Sequence, residues 1–321
     1  MTDQGFRKVL NMLANGDKPL SPASLYHLSD LDRKQAAELE AVWPDLGPLR
    51  RLALIQQMTE LAEANVELNI EVVGRVGLED EDPLVRAAAV ASLWECESPD
   101  LLGIFFNLLT RDREAVVRAA AASALGRYVY QAEVEELDAR QARRLEQGLL
   151  AAATGEDEVD VRRRAIEALG YSSRSEVEAL IQSAYASPEE KLRVSAVLAM
   201  GRSADRRWRD PVLAELDSPS PALRFEAVRA AGELELREAA PALIEASQDV
   251  DPEVRYSAIW ALGQVGGSRA RQALEGLLQQ ADEEEAAHIQ DTLDNLDFME
   301  SLEDFGLPEL SESRSAALRG L

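Results

Sequence analysis

Arginine is the residue whose spacing in this sequence is most regular. Six arginines recur at intervals of 32, 44, 31, 31 and 31 residues, and an acid stands six positions before four of them. A row of unpaired guanidinium groups would bind anions. Acids that accompany the row would neutralise it, and we favour this second interpretation. The arginines are Arg86, Arg118, Arg162, Arg193, Arg224 and Arg255, and the acids are Asp80, Asp112, Glu156 and Asp249.

Histidine and cysteine are too scarce for the usual catalytic and metal sites. The chain holds one cysteine, Cys96, and two histidines, His27 and His288, which lie outside the arginine-centred segments. A nucleophile needs a base within hydrogen-bond reach, and a zinc site needs several suitably spaced ligands. We therefore expect no enzymatic activity, no metal and no cofactor. A single cysteine also fits a reducing compartment such as the cytoplasm.

The charge balance argues against nucleic acids as direct partners. The chain has 34 Lys+Arg and 59 Asp+Glu, a formal net charge of −25, which repels phosphate backbones. No stretch approaches the roughly 18 apolar residues of a membrane span, and the first residues show no export signal. We expect a cytoplasmic protein that is not inserted in a membrane and that binds a basic protein partner.

The regularly spaced arginines lie in one repeated apolar pattern. In the copy DPEVRYSAIWALG, apolar residues fall one position before the arginine and three, four and seven positions after it, at Val254, Ala258, Ile259 and Leu262. At 100° per residue these positions share one side of a helix. The intervening stretches have the same period, so each unit is predicted to be two helices joined by a turn. No stretch alternates as a strand would.

The pattern D-x-[DS]-P-x-[VL]-R-x-x-A-[VI]-x-A-L-G resembles the HEAT repeat, in the short HEAT-like form found in phycobilisome lyase proteins and many bacterial scaffolds. The resemblance covers about residues 78 to 295. It implies an all-α fold, a right-handed α-solenoid of helix pairs with helical N- and C-terminal caps. It also implies that the acids and arginines form a ladder across neighbouring repeats, and that the second helix of each pair lines a concave face.

The chain is predicted to have three parts. Residues 1–77 form a helical N-terminal cap, or less favourably a separate binding module, and residues 78–281 form six repeats. Residues 282–321 form a degenerate terminal repeat and an acidic tail, whose last part is a candidate for docking on a basic surface. About 13 extra residues between the second and third repeats lengthen a helix or form a protruding loop.

Side chains on the second helices, opposite the buried set, differ between repeats. In the first two repeats they are mostly alanine, whereas the later repeats carry aromatic residues and arginine, the composition of interface hot spots. The alternative is that these positions are simply buried against the neighbouring repeat. The candidate partner-binding residues are Tyr171, Leu198, Arg202, Phe225, Arg229, Tyr256 and Trp260.

These observations favour an interaction scaffold or adaptor. Two other classes of function stay open. The first, suggested by the family resemblance, is a bilin lyase-type subunit that would hold a chromophore and transfer it to a cysteine. The second is an assembly chaperone for one complex.

Overall fold

The computed structural model describes residues 3–14, 21–65 and 67–304, and all of the regular elements among them are helices. The all-α prediction is therefore confirmed. The helices before the first repeat are α1 Asp3–Ala14, α2 Pro22–Leu25, α3 Arg33–Val42 and α4 Pro48–Ala64. The repeat helices are α5 Glu71–Leu78, α6 Pro83–Ser92, α7 Leu101–Arg111, α8 Ala115–Glu133, α9 Ala139–Thr154, α10 Val159–Leu169, α11 Ser175–Tyr185, α12 Glu190–Arg202, α13 Arg209–Glu215, α14 Pro221–Glu233, α15 Ala240–Ala246 and α16 Pro252–Val265. The last two are α17 Gly267–Leu278 and α18 Glu283–Asp304.

The helices pair as the sequence pattern predicts, and the short polar turn between partners fixes where each second helix begins. Asp82, Ser220 and Asp251 cap α6, α14 and α16 through side chains that accept backbone N–H hydrogen bonds. A proline follows each cap, at the position where its missing N–H costs nothing. The apolar set of each second helix is then fully buried, as with Val254, Ala258 and Ile259.

The chain divides into two compact units. The first comprises Met1–Leu125 and Glu156–Arg164, and the second comprises Gly126–Gly155 and Ala165–Leu321. The extra residues between the second and third repeats lie in two long helices, since α8 has 19 residues and α9 has 16. The predicted alternative of a protruding loop does not apply to them.

The regularly spaced arginines link each repeat to the next through the turns. Arg86 makes a two-pronged pair with Asp112, with both nitrogen–oxygen distances at 3.0 Å, and Arg224 pairs with Asp249 at 2.7 and 2.9 Å. The third nitrogen of Arg86 donates at 2.8 Å to the backbone oxygen of Asp80, six residues earlier. The residue six positions before an arginine thus has two roles. Its backbone carbonyl accepts a hydrogen bond from the arginine of its own repeat, and its acidic side chain pairs with the arginine of the preceding repeat.

Two rungs of this ladder differ from the sequence assignment. Arg118 pairs with Asp157, with Nε to Oδ2 at 2.8 Å, and Glu156 is exposed, so the acid of that turn is Asp157 rather than Glu156. Asp80 pairs with Arg51 of α4 at 3.1 Å and accepts a hydrogen bond from Trp43 Nε1 at 2.6 Å. The ladder therefore begins in the N-terminal region.

Arg193 lacks an acidic rung. Its Nη1 donates to the backbone oxygens of Ser187 and Pro188, at 3.0 and 3.1 Å, and the corresponding position of the next turn is Ser218. Arg255 donates to the backbone oxygen of Asp249 at 2.8 Å. Arg162 is half-buried.

The last helix, α18, packs on α16. A Cβ built on Gly263 of α16 would lie 2.5 Å from Thr292 Cγ2, and Leu296 lies against Gly266. Ile289, Leu293 and Leu296 are buried there. Residues 305–321, which include the last part of the predicted acidic tail, lie outside the described residues.

Candidate protein-binding surface

The second helices of the second unit carry a polar and aromatic surface on the side opposite their buried set. We call this side the second-helix surface. Its half-buried members are Tyr171, Arg202, Phe225, Arg229, Glu233, Tyr256 and Trp260, and its buried members are Glu167 of α10, Ser195 and Glu226. The regularly spaced arginines of neighbouring repeats are 31 residues apart. The residue two positions after one arginine therefore lies opposite the residue five positions after the arginine of the preceding repeat, which stands 28 residues earlier in the chain.

Glu167 and Ser195 show this register directly. The Ser195 hydroxyl donates to Glu167 Oε1 at 2.6 Å, across 28 residues, and both residues are buried. The same register sets Glu226 opposite Leu198 and Ser257 opposite Arg229. Leu198 offers no polar atom, and Glu226 Oε2 and Ser257 Oγ are both buried without a hydrogen bond. These polar side chains therefore form a row across the repeats in which some polar atoms have no hydrogen-bond partner.

Arg202 and two tyrosines form the first part of the surface. The Arg202 guanidinium lies 5.0 Å from the centre of the Tyr171 ring, and its Nη1 donates to the backbone oxygen of Glu167 at 2.8 Å. Tyr130 meets Tyr171 edge to face, with ring centres 5.6 Å apart. Burial raises the pKa of Tyr171, so its hydroxyl stays neutral at physiological pH. These contacts hold the arginine within cation–π distance of an aromatic ring.

Glu226, Arg229 and Glu233 of α14 form a compact charged group. Arg229 pairs with Glu233 at 2.8 Å and lies 3.9 Å from Glu226 Oε2. Burial raises the pKa of Glu226 to about 7, against the opposing effect of Arg229. Burial lowers the pKa of Arg229, but Glu233 and Glu226 outweigh it, so the net shift is upward. Burial is the main cause of the raised pKa of Glu226, and the neighbouring carboxyl of Glu233 adds to it.

Aromatic side chains form the rest of the surface and also touch the neighbouring repeats. Tyr256 meets the His288 ring edge to face at 5.5 Å, and its backbone oxygen lies 3.2 Å from His288 Nε2. Trp260 lies beside Gly232, where a Cβ would come within 2.6 Å of Cζ3. Phe225, Tyr256 and Trp260 are half-buried. Tyr256 and Trp260 thus contact the neighbouring repeat, and part of each of the three aromatic side chains remains accessible.

The seven predicted residues do not contribute equally. Six of them are half-buried on the second-helix surface, but Leu198 is only 8% exposed and offers a partner little area. The sequence interpretation did not name Ser195, Glu226, Glu233 or Tyr130. The first three stand two or nine positions after an arginine, on the side already identified, so their positions carried the signal.

Metal clusters and membrane-spanning helices are absent from the residues that the structure describes. Within residues 3–14, 21–65 and 67–304, no group of three His, Cys, Asp or Glu side chains is arranged to hold a metal ion. Over the same ranges, no helix is both long and apolar enough to span a membrane.

The comparisons with known proteins identify the repeat. The HEAT-repeat family model matches residues 75–143 and 209–293, so these two regions are HEAT repeats. The complex of CpcE and CpcF of phycocyanin lyase from Nostoc sp. PCC7120 is similar in structure, at 18% identity over 81% of this chain and 94% of that chain, with a TM-score of 0.53. No curated protein sequence matches the chain.

Two further solved structures are similar at lower scores. Yeast importin-β, Kap95p, is 12% identical over 92% of this chain and 46% of that chain, with a TM-score of 0.49. YibA of Escherichia coli is 16% identical over 92% of this chain and 97% of that chain, with a TM-score of 0.44. The predicted α-solenoid of HEAT-like helix pairs is confirmed by the succession of helix pairs and by the HEAT-repeat family match. Sequence identities as low as those of the solved structures concern the fold alone.

Proposed function

We propose that this HEAT-repeat protein is a non-enzymatic scaffold that binds a basic protein through its second-helix surface. The observation that carries the proposal is the change in composition along the repeats. Alanine predominates on this side of α6 and α8, whereas α14 and α16 hold half-buried Phe225, Tyr256 and Trp260 there, beside the Arg229–Glu233 ion pair. Stacking alone needs no such residues, because the first repeats stack without them.

The chemistry of the second-helix surface supports a protein rather than a small molecule as the ligand. Aromatic rings with arginine are enriched at the centres of protein interfaces. The half-buried side chains of Arg202, Arg229 and Glu233 supply both signs of charge to an extended polypeptide. The net charge of −25 favours encounter with a basic partner.

Capture followed by kinetics tests the proposal. The wild-type protein, the Phe225→Ala/Trp260→Ala variant and a Val250→Ala control are used to capture partners from the source cytoplasm. Val250 is 91% exposed in a turn, so the control removes an apolar side chain away from the second-helix surface. Rate constants are then measured for whichever protein the wild type captures.

We expect the double variant to raise the dissociation rate by roughly 30-fold, the equivalent of a 2 kcal/mol hot spot. Added salt should slow association without changing dissociation much. A folded double variant that binds with unchanged rates would contradict the proposed surface. A double variant that melts far below the wild type is replaced by Trp260→Phe, a smaller change that keeps an aromatic ring at this position.

A further inference from the structure

Trp94 occupies the position that a glycine holds in the later repeats. Five repeats have glycine eight residues after the regularly spaced arginine, and Trp94 stands eight residues after Arg86. In the second unit this position is where neighbouring second helices touch. A Cβ on Gly170 would lie 2.9 Å from Ala199 Cα, and one on Gly201 would lie 2.9 Å from Ala230 Cα. A tryptophan has no room in such a contact.

The first repeat accommodates Trp94 by ending its helix early. Helix α6 ends at Ser92, and Trp94 lies in the turn that follows, where it is 39% exposed. The indole therefore contributes only part of its surface to packing. A large aromatic side chain left half in water at a position that favours glycine needs a reason other than the stability of the repeat.

Trp94 forms one wall of a cavity of about 330 Å³ in the first unit. The cavity lies between the end of α4, the start of α5 and the turn after α6. The side chains that matter for its chemistry are Trp94, Cys96 and the four glutamates Glu63, Glu71, Glu95 and Glu97. No lysine or arginine is among the residues that line it. Its volume suits a single side chain or a small ligand.

The four glutamates differ in how far they are neutralised. Glu71 pairs with Arg75 at 2.7 Å and accepts a hydrogen bond from Ser98 at 2.6 Å. Glu63, Glu95 and Glu97 are exposed, and within the described part of the chain none of them forms an ion pair within 4.0 Å. The cavity therefore combines an accessible indole with three uncompensated negative charges.

We propose that this cavity, the Trp94 pocket, binds the side chain of an arginine or lysine presented by a protein partner. Tryptophan is the aromatic side chain that attracts cations most strongly, and the attraction increases where the cation leaves water. The surrounding carboxylates add charge-assisted hydrogen bonds to the same group. An anion or a neutral apolar side chain would leave these carboxylates without a partner. The pocket lies in the first unit and does not depend on the second-helix surface.

Cys96 makes the pocket directly measurable, because it is the only cysteine of the chain and lines the cavity. The rate of Cys96 alkylation by iodoacetamide is followed in the full-length protein. The probes are the capped tripeptide Gly-Arg-Gly and the same peptide with citrulline, which has the shape of arginine without its charge. We expect saturable protection by the arginine peptide, with alkylation slowed at least threefold, and no protection by the citrulline peptide.

Variants separate the aromatic contact from general attraction to an acidic protein. Trp94→Leu should weaken binding of the arginine peptide by about 2- to 30-fold, the range of a cation–π contact, and Trp94→Phe should restore part of it. Glu95→Gln/Glu97→Gln should also weaken binding. The matched control, Glu253→Gln/Glu275→Gln, removes two exposed acids of the second unit and should leave binding unchanged.

Equal protection by the citrulline peptide, or full protection in the folded Trp94→Leu variant, would overturn the proposal. Equal weakening by both pairs of glutamate substitutions would also overturn it, because attraction would then depend on total charge alone. A stable Trp94→Leu protein is expected from the exposure of the side chain. The indole N–H signal of Trp94, assigned by its loss in that variant, provides a second readout that should shift with arginine and not with citrulline.

Discussion

The second helices of the first two repeats resemble those of the last three repeats on their buried side. They differ in residue type on the opposite side. The buried residue one position before the arginine is Val85 in α6, Val117 in α8 and Val254 in α16, each fully buried. On the opposite side, the first two repeats have small residues, whereas the later ones have aromatic and charged groups. Stacking of the repeats requires the buried apolar residues in every repeat and leaves the residues on the opposite side free to differ. Recognition is therefore expected where the two regions differ.

The largest effects should come from the shared side and should be equal in both regions. Leu125 and Leu262 stand seven positions after their arginines, and both are fully buried. Replacing either with alanine should lower the free energy of unfolding by about 2–5 kcal/mol, through lost transfer energy and the cavity left behind. Urea unfolding measures both. A loss below about 1 kcal/mol at either position would contradict the equivalence of the two regions.

The buried carboxyl of Glu226 should give the second unit a pH dependence that alanine-rich helices cannot have. Its pKa lies near 7 in the folded protein and near its ordinary value of 4.5 in the unfolded chain. The folded state therefore binds the proton more tightly. The stabilising contribution is fully present below pH 4.5 and is lost as the pH rises through 7, by about 3 kcal/mol in all.

Glu226→Gln keeps the neutral shape and should remove this contribution. The free energy of unfolding of the wild type, relative to Glu226→Gln, should fall between pH 4.5 and 8. The charged groups that influence Glu226 are Arg229, Glu233, Glu167 and Arg202, and all are retained in the variant. Glu253→Gln, at an exposed position of the same unit, is the control and should run parallel to the wild type. Parallel curves for Glu226→Gln as well would show that folding does not raise the pKa of Glu226.

A smaller difference should separate complete rungs of the ladder from the incomplete one. Arg224→Ala leaves Asp249 unpaired and should cost roughly 1–3 kcal/mol. Arg193→Ala removes hydrogen bonds to two carbonyls and a distant contact with Glu190, at 3.7 Å. Its cost should stay below about 1 kcal/mol. Thermal or urea unfolding of the two variants in parallel checks the order, and the reverse order would contradict the assignment of the rungs.

The smallest effect is expected on the alanine side of the first repeats. Ala91 stands five positions after its arginine and is exposed, so Ala91→Gln should change the free energy of unfolding by less than about 0.5 kcal/mol. Arg229 holds the corresponding position in α14. Arg229→Ala should cost more, because Glu233 loses its 2.8 Å partner. Similar values for the two substitutions would remove the energetic contrast between the regions.

Much of the fold could be predicted from local spacing. The 3.6-residue period and the polar turns predicted the helix pairs, since burial of one side of each helix requires that pattern. The ladder was predicted less well. Glu156 and Asp157 are both acidic and adjacent, so only the conformation of the turn determines that Asp157 reaches Arg118. The pairing of Asp80 with Arg51 joins segments whose sequences show no common pattern.

The candidate surfaces depended more strongly on contacts between repeats. The sequence indicated which side of each second helix is variable, but not which polar atoms find a partner across the 28-residue register. Ser195 donates to Glu167, whereas Glu226 Oε2 is buried without a hydrogen bond, and burial raises the pKa of Glu226 to about 7. The role of Trp94 also depends on packing. Its position eight after Arg86 is visible in the sequence, but its partial exposure follows from the end of α6 at Ser92.

The sequence by itself determined the repeat, the helix pairs and the buried side of each second helix. The physical reason is that helical periodicity and apolar burial are local properties, repeated in every unit. The tertiary structure alone decided which acid completes each rung, which carboxyl is buried with an oxygen that has no hydrogen bond, and where an indole faces water. These depend on distances between residues about one repeat apart, and small differences in packing set whether a polar group is paired or exposed.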